Sequence, residues 1–165
     1  MLFSVVAGVL DYLFFCFLYS FNVKAFDQAF KLDFWIPLIF VFLSLYYCKK
    51  AELGFIKFGQ AMLVGVFTAF VISLIPSVFI YIHLKFLDPT YYTESVLSAV
   101  QTLKTQLKSL TDVEDIRMIK ESAEYLSTTS VEFYVFDELI KLFLPSVLGT
   151  LILSILFRKS HAVES

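Results

Sequence analysis

AMLVGVFTAFVISLIPS, residues 61–77, is the stretch that decides the fold. Residues four apart lie on one side of an α-helix. Helices in lipid associate by close packing, which small residues permit, because lipid tails are as apolar as leucine. The stretch therefore predicts a membrane helix with a groove that receives another helix. Every fourth residue in it is small: Ala61, Gly65, Ala69, Ser73 and Ser77.

The composition also places the chain in a membrane. Of its 165 residues, 59% are hydrophobic and 17% are charged. Soluble domains are about 45–50% apolar and about 25% charged. The net charge of −2 offers no basic surface for nucleic acid. The lipid bilayer is the predicted partner, and nucleic acid is not.

Four apolar runs predict four transmembrane helices, at about residues 2–21, 34–48, 58–87 and 139–157. A bilayer core needs roughly 20 helical residues, with a range of about 17–25. The second run is short, but tryptophan and tyrosine at its ends suit membrane interfaces, and the lysines after it can reach the headgroups. The first run has an alternative, a cleaved signal peptide, which its length and the lack of a preceding basic residue disfavour.

Basic residues near the helix ends predict the orientation. Four crossings put both termini and the loop at 49–57 on one side. The opposite loop, 22–33, has Lys24 and Lys31, which Asp27 and Asp33 offset. We therefore expect both termini in the cytoplasm and residues 88–137 outside. The cytoplasmic side would hold Lys49, Lys50, Lys57, Arg158 and Lys159.

Residues 88–137 form the one segment with a water-soluble pattern. Asp88-Pro89 predicts a helix N-cap followed by proline at the first helical position. Thr111 and Glu114 predict a capping box that opens a second helix. The two helices would form an amphipathic hairpin that packs on itself or on a partner. Its candidate docking face is the apolar stripe Val96, Val100, Leu103, Leu107 and Leu110.

The predicted fold is all-α: an integral membrane four-helix bundle, with this extramembrane hairpin between the third and fourth membrane helices. Residues 1–165 would form a single membrane domain. Small residues of the other runs are expected to pack against the third helix within the chain, the alternative being a helix of another subunit. They are Ser4 and Gly8 in the first run, and Ser146, Gly149, Thr150 and Ser154 in the fourth.

Asp11 interrupts the first apolar run near its middle. An ionised aspartate there costs about 2.5–3.5 kcal/mol on insertion scales, so an intramembrane acid is a functional candidate. Three roles stay open: a hydrogen bond to a hydroxyl such as that of Thr68 or Thr150, contact with a partner subunit, and ion or proton handling. The other runs offer no titratable residue at the same expected depth.

The sequence predicts no catalytic, cofactor-binding or metal site. It has no HExxH, P-loop, CxxC or GxSxG motif. Cys16 and Cys48 lie far apart in apolar runs and indicate free thiols. His83 is expected to be a polar residue at the membrane interface. An intramembrane enzyme would need a nucleophile–base pair or a metal triad, and none is apparent.

The loop Gly54-Phe55-Ile56-Lys57-Phe58-Gly59-Gln60-Ala61, followed by Gly65 and later by Asp88-Pro89, resembles the pattern of a bacterial family. That family consists of small inner-membrane proteins known only as a domain of unknown function. The resemblance implies four membrane helices with a polar helical insertion before the last, in a bacterial cytoplasmic membrane. It implies no activity, cofactor or catalytic residue, and Asp11 is not part of the pattern.

Two functions follow as hypotheses. The first is a non-catalytic membrane protein that serves as an accessory or assembly subunit of a larger envelope complex. Small size, the lack of a reactive constellation and the acidic hairpin outside the membrane favour it. The alternative is a small oligomeric channel or transporter with Asp11 in its path. The partners expected are therefore the bilayer and either a membrane protein or a second copy of the chain.

Overall fold

The computed structural model describes residues 2–24, 35–107 and 113–157. These residues form six α-helices and no strand, so the all-α prediction is confirmed. The helices are α1 (Leu2–Ser20), α2 (Trp35–Ala51), α3 (Phe58–Ile82), α4 (Pro89–Leu107), α5 (Val113–Thr128) and α6 (Val131–Phe157). A π-helical turn, His83–Leu87, continues α3 toward α4.

Three helical segments are long and apolar enough to cross a membrane: α1, α3 with its π-helical turn, and α6. The remaining bundle helix, α2, has 17 residues and lies at the lower end of the spanning range. Its Pro37 falls in the first turn, where the missing N–H costs no helical hydrogen bond. The chain is a helical membrane protein.

The bundle is built around α3, which contacts α1, α2 and α6, most extensively α6. The small residues of α3 named above are all buried. Their polar members are satisfied inside the helix, because Ser73 donates to Ala69 O at 2.8 Å and Ser77 donates to Ser73 O at 2.7 Å. Such bonds to the preceding turn let serine lie in an apolar interface without an unmet donor.

Glycines mark the closest helix approaches. A Cβ built on Gly65 would lie 2.2 Å from Cγ2 of Thr150, so the backbone of α3 packs directly against the side chain of Thr150 on α6. A Cβ built on Gly8 would lie 2.7 Å from Cβ of Ile75, and one built on Gly149 would lie 2.5 Å from Cδ2 of Leu38. These contacts bring the small residues of α1 and α6 against neighbouring helices of the same chain.

Large apolar side chains cover the outside of the bundle. Examples are Phe17 on α1, Leu63 on α3 and Leu148 on α6, each more than half exposed. An apolar exterior of this extent exceeds what soluble monomers show and suits contact with lipid. Exposed charge is concentrated instead on the hairpin helices α4 and α5.

The last helix is longer than the apolar run that predicts it. The run begins at about residue 139, whereas α6 starts at Val131, where the backbone N–H of Phe133 donates to the Ser130 hydroxyl at 3.3 Å. The Ser130 hydroxyl is therefore the N-cap of α6, which the sequence does not single out among the neighbouring serines and threonines. The polar first two turns of α6 and its apolar part thus form one continuous helix, and the hairpin ends at Thr128.

The hairpin packs largely on itself. Helices α4 and α5 contact each other, and the predicted docking residues Val96, Val100, Leu103 and Leu107 are half-buried. On the α5 side Ile116, Ile119 and Leu126 are half-buried too, and Ala123 is buried. Leu110 and the capping residue Thr111 lie outside the described residues.

Candidate functional site

A small cavity lies between α1, α3 and α6. Four of the residues that line it have polar side chains: Asp11, Ser77, Tyr134 and Glu138. Asp11 is buried, with 4% of its surface exposed. The rest of the wall is apolar: Phe14, Phe15, Ile80 and Leu142.

Helical periodicity explains how these groups meet. Ser77 is the last member of the small-residue stripe of α3. On α6, steps of four from Ser154 through Thr150 and Ser146 continue outward to Leu142, Glu138 and Tyr134. Since residues four apart share a helix face, the face of α6 that packs on α3 presents Glu138 and Tyr134 beside Ser77. Asp11 then closes the cavity from α1.

Lys141 forms ion pairs with two acidic residues of its own helix, α6. Its ammonium group lies 2.8 Å from the carboxylate of Asp137 and 2.9 Å from that of Glu138. The side chain of Glu138 is 17% exposed, whereas those of Lys141 and Asp137 are 58% and 48% exposed. Glu138 therefore links the buried cavity to the half-exposed charges one turn away.

The cavity is small. The space open to the centre of a water molecule is about 10 Å³, close to the minimum that holds one water. Pockets for drug-sized ligands are roughly 300–1,000 Å³. The site therefore suits a water molecule or a small ion rather than an organic substrate.

The surroundings of Asp11 differ from the sequence expectation. Of the two hydroxyl groups suggested as partners of Asp11, that of Thr150 lies against Gly65 and donates to Ser146 O at 2.8 Å. Asp11 instead shares its cavity with Ser77, Tyr134 and Glu138. Two titratable residues of α6, Tyr134 and Glu138, thus line the same cavity as Asp11, and the sequence analysis did not place them there.

A second polar site joins the bundle to the hairpin. Asp88 accepts a hydrogen bond from Tyr19 Oη at 2.8 Å and one from the Tyr91 backbone N–H at 3.1 Å, and Thr90 donates to it as well. The bond to Tyr91 is the N-cap that Asp88-Pro89 predicts. These hydrogen bonds, the one from Thr90 foremost, hold the pKa of Asp88 below its ordinary value.

His83 lies in an aromatic cluster at the same junction. It is buried, with 9% exposure, and its Nδ1 is 3.3 Å from Tyr12 Oη. The rings of Phe15 and Tyr19 meet it edge to face, at centroid distances of 5.3 and 4.7 Å. Its backbone carbonyl accepts from the Asp88 N–H at 2.9 Å, which closes the π-helical turn. His83 is thus a packed residue of the junction between the bundle and the hairpin.

Further contacts tie the base of the hairpin to the bundle. Lys24 pairs with Glu94 at 2.8 Å, and Lys85 pairs with Glu132. Tyr92 donates to Thr129 O at 3.0 Å, which fixes the start of α4 against the turn before α6. The hairpin therefore leaves the bundle at a defined angle.

No metal centre appears in residues 2–24, 35–107 and 113–157: these contain no cluster of three or more histidine, cysteine or acidic residues. Cys16 and Cys48 are free thiols. The sequence analysis missed two residues of the cavity, Glu138 and Tyr134, although a pattern in the sequence indicates them. It was the continuation of the four-residue spacing of α6 beyond its apolar part.

The apolar helices and the polar cavity between them define the chain as a small helical membrane protein. Residues 2–159 match a family described as a protein of unknown function, DUF4199, and the chain belongs to that family. The resemblance seen in the loop before α3 is thereby confirmed at the level of a family without an assigned activity. No curated protein and no solved structure is significantly similar to the chain.

Proposed function

We propose that this chain is a non-catalytic integral membrane protein that serves as an accessory or assembly subunit of a larger complex in a bacterial cytoplasmic membrane. The observation that carries the proposal is the fixed attachment of the α4–α5 hairpin to the bundle. A membrane bundle that holds a charged hairpin at a defined angle is suited to present a docking surface.

The proposed topology has four crossings. Helix α2 joins the three longer helices as the fourth, with Lys49 and Lys50 reaching the headgroups beyond its apolar part. Both termini and the loop at 52–57 then lie in the cytoplasm, and the hairpin lies in the periplasm. The excess of lysine and arginine on the side of the 49–57 loop supports this orientation.

The hairpin offers charge rather than an apolar groove to a partner. Its apolar stripes are half-buried against each other, whereas Asp115, Glu121 and Glu124 are exposed on α5. Complementary charge raises association rates and selects partners. A periplasmic protein or domain with a basic surface fits this face best.

The test is purification from the native host in mild detergent after photo-crosslinking from Tyr125, which is exposed on α5. We expect one protein to be crosslinked in constant ratio to the chain, and to be lost in the double variant Asp115→Lys/Glu124→Lys. The matched control is Glu52→Lys, which reverses a charge in the loop between α2 and α3. A chain that stays monomeric and uncrosslinked at native expression would contradict the proposal.

A small oligomeric channel or transporter is the second candidate. The specific observation in its favour is that Asp11 and Glu138 line one cavity between three membrane helices. Intramembrane acids that face a cavity mark ion and proton pathways in many membrane proteins. This function predicts an ion flux in liposomes that Asp11→Asn abolishes. Lack of flux with the unaltered chain, or normal flux in Asp11→Asn, would reject it.

A further inference from the structure

The outward face of α6 carries an exposed ion pair within its apolar surface. We infer that this face is the contact between two copies of the chain, which pack α6 against α6 in the membrane. The inference does not depend on the proposed function, since a pair of chains can dock a further protein or act without one.

The ion pair joins Asp137 and Lys141. The Lys141 ammonium group and the Asp137 carboxylate are 2.8 Å apart, and the two side chains are 58% and 48% exposed. The residues of α6 that face the rest of the bundle are buried, among them Leu142 and Ser146, which follow Lys141 directly and after five residues. The pair therefore lies on the outside of the bundle, where the chain itself does not cover it.

The pair lies inside the apolar band of the bundle rather than at its edge. Glu138, beside Asp137, lines the same cavity as Ser77, so this part of α6 is level with Ser77 of α3. The π-helical turn extends α3 to Leu87, a further ten residues or about 15 Å toward the hairpin. Exposed apolar side chains lie on that side of the pair on all three helices: Phe17 on α1, Ile82 on α3 and Phe133 on α6. An ion pair at this depth is unfavourable against lipid, because charged residues of membrane helices almost always face protein or a water-filled cavity.

The same face continues along α6 as a row of large aliphatic side chains. Its members are between 40% and 62% exposed: Leu144, Leu148, Leu151 and Ile155. From Lys141 onward they are three and four residues apart in alternation, which is the spacing by which two parallel helices pack along a seam. The buried face steps by four residues instead, from Ser146 to Thr150 and Ser154. The seam residues are therefore separate from those that pack on α3.

Charge complementarity identifies the occupant of this face as a second copy. Two copies in one membrane have the same orientation, so a two-fold axis along the membrane normal sets their α6 helices parallel. Residues of the same number then lie opposite each other, and Lys141 of each copy lies one turn from Asp137 of the other. Each ammonium group can therefore join the carboxylates of both copies. An unrelated helix would have to supply both charges at this spacing, whereas a second copy supplies them by symmetry.

The experiment is oxidative crosslinking of the full chain in native membranes, with its two native cysteines changed to alanine and a single Leu151→Cys on the seam. The matched control is Leu63→Cys, which is 72% exposed on α3 and lies at a similar depth, since Gly65 contacts Thr150. We expect Leu151→Cys to form a disulfide-linked dimer at least about fivefold faster than the control, because the seam holds the two thiols together. Equal rates, as lipid contact alone would give, overturn the inference. A crosslink to another protein in place of a second copy overturns it as well.

The ion pair is tested by exchanging charges between two chains. Asp137→Lys and Lys141→Asp should each slow the Leu151→Cys crosslink at least about fivefold, because like charges then face each other across the seam. Co-expression of the two variants with different tags should restore a mixed dimer, since the positive face of one chain meets the negative face of the other. The chain with its ion pair unaltered gives the main result, so the test does not depend on the variants folding. Variants that crosslink at the original rate contradict the inference, as does a mixture of membrane-inserted variants that forms no mixed dimer.

Discussion

Because α3 approaches α6 closely at Gly65, we expect the single methyl group added by Gly65→Ala to have a large effect on stability. An alanine Cβ at position 65 would lie 2.2 Å from Cγ2, 2.8 Å from Oγ1 and 3.0 Å from Cβ of Thr150. Ordinary contacts of a Cβ begin near 3.4 Å, so the helices must separate by about 1 Å. Thr150 cannot simply rotate away, because its hydroxyl donates to Ser146 O and its χ1 is restricted in a helix.

The magnitude follows from two opposing effects. Overpacking costs about 1–3 kcal/mol, and the shortest distance places Gly65→Ala at the upper end of that range. Alanine is better than glycine in a helix by about 1 kcal/mol. We therefore expect Gly65→Ala to lower the free energy of unfolding by about 1–2 kcal/mol.

The assay is reversible unfolding in mixed detergent micelles, followed by circular dichroism. Thr150→Ala removes both of the nearest atoms, so it should recover most of the loss in the double variant, with a coupling of about 1–2 kcal/mol. The matched control is Gly59→Ala, since nothing lies within 4 Å of a Cβ built on Gly59. Gly65→Ala with unaltered stability, or losses that add without coupling to Thr150→Ala, would refute the proposed contact between α3 and α6.

Three further predictions concern the junction and the loops. The pKa of Asp88 is lowered in the folded chain, so its ionised form stabilises the junction fully at pH values above its ordinary pKa of 3.8, and this contribution is lost as pH falls through the lower pKa of the folded chain. Amide protection in α4 should therefore be constant from neutral pH down to pH 3.8 and fall below it. Asp88→Asn should remove this pH dependence. The pair Lys85–Glu132 is half-exposed, so Lys85→Met should leave the midpoint of unfolding nearly unchanged, and a clear loss in the same unfolding assay would contradict that. Gly54 has a φ of +89°, so Gly54→Ala should cost about 1–2 kcal/mol in the same assay although no atom lies near its Cβ, and an unchanged stability would show that the loop adopts another conformation.

The bundle was predictable because its signals are local and periodic. The four-residue spacing from Ala61 to Ser77 indicates the buried face of α3 without knowledge of its partner. Helix ends were predicted where a side chain caps the backbone, as Asp88 does for α4. They were misplaced where hydropathy alone was used, because α6 is capped by Ser130, nine residues before its apolar run begins at 139.

The cavity was not predictable from single helices. Asp11 stands out in α1 by itself, but Glu138 appears in the sequence as one of several charges at the polar start of α6. The four-residue spacing of α6 indicates that Glu138 shares the inward face of this helix, whereas Asp137, one residue earlier, is half-exposed. Which residues of α1 and α3 meet that face depends on helix register across three segments, and the spacing within a single helix does not give that register.

The crossing of the membrane by α2 is the central claim, since it fixes the side on which every other segment lies. Single cysteines are introduced at Leu2, Leu53 and Lys104, each exposed, in a chain with Cys16 and Cys48 changed to alanine. Labelling of whole cells with a membrane-impermeant maleimide then reports sidedness. The four-crossing account predicts that only Lys104→Cys reacts from outside, and that Leu2→Cys and Leu53→Cys both react only after the membrane is opened. Reaction of Leu2→Cys and Leu53→Cys on opposite faces would contradict it.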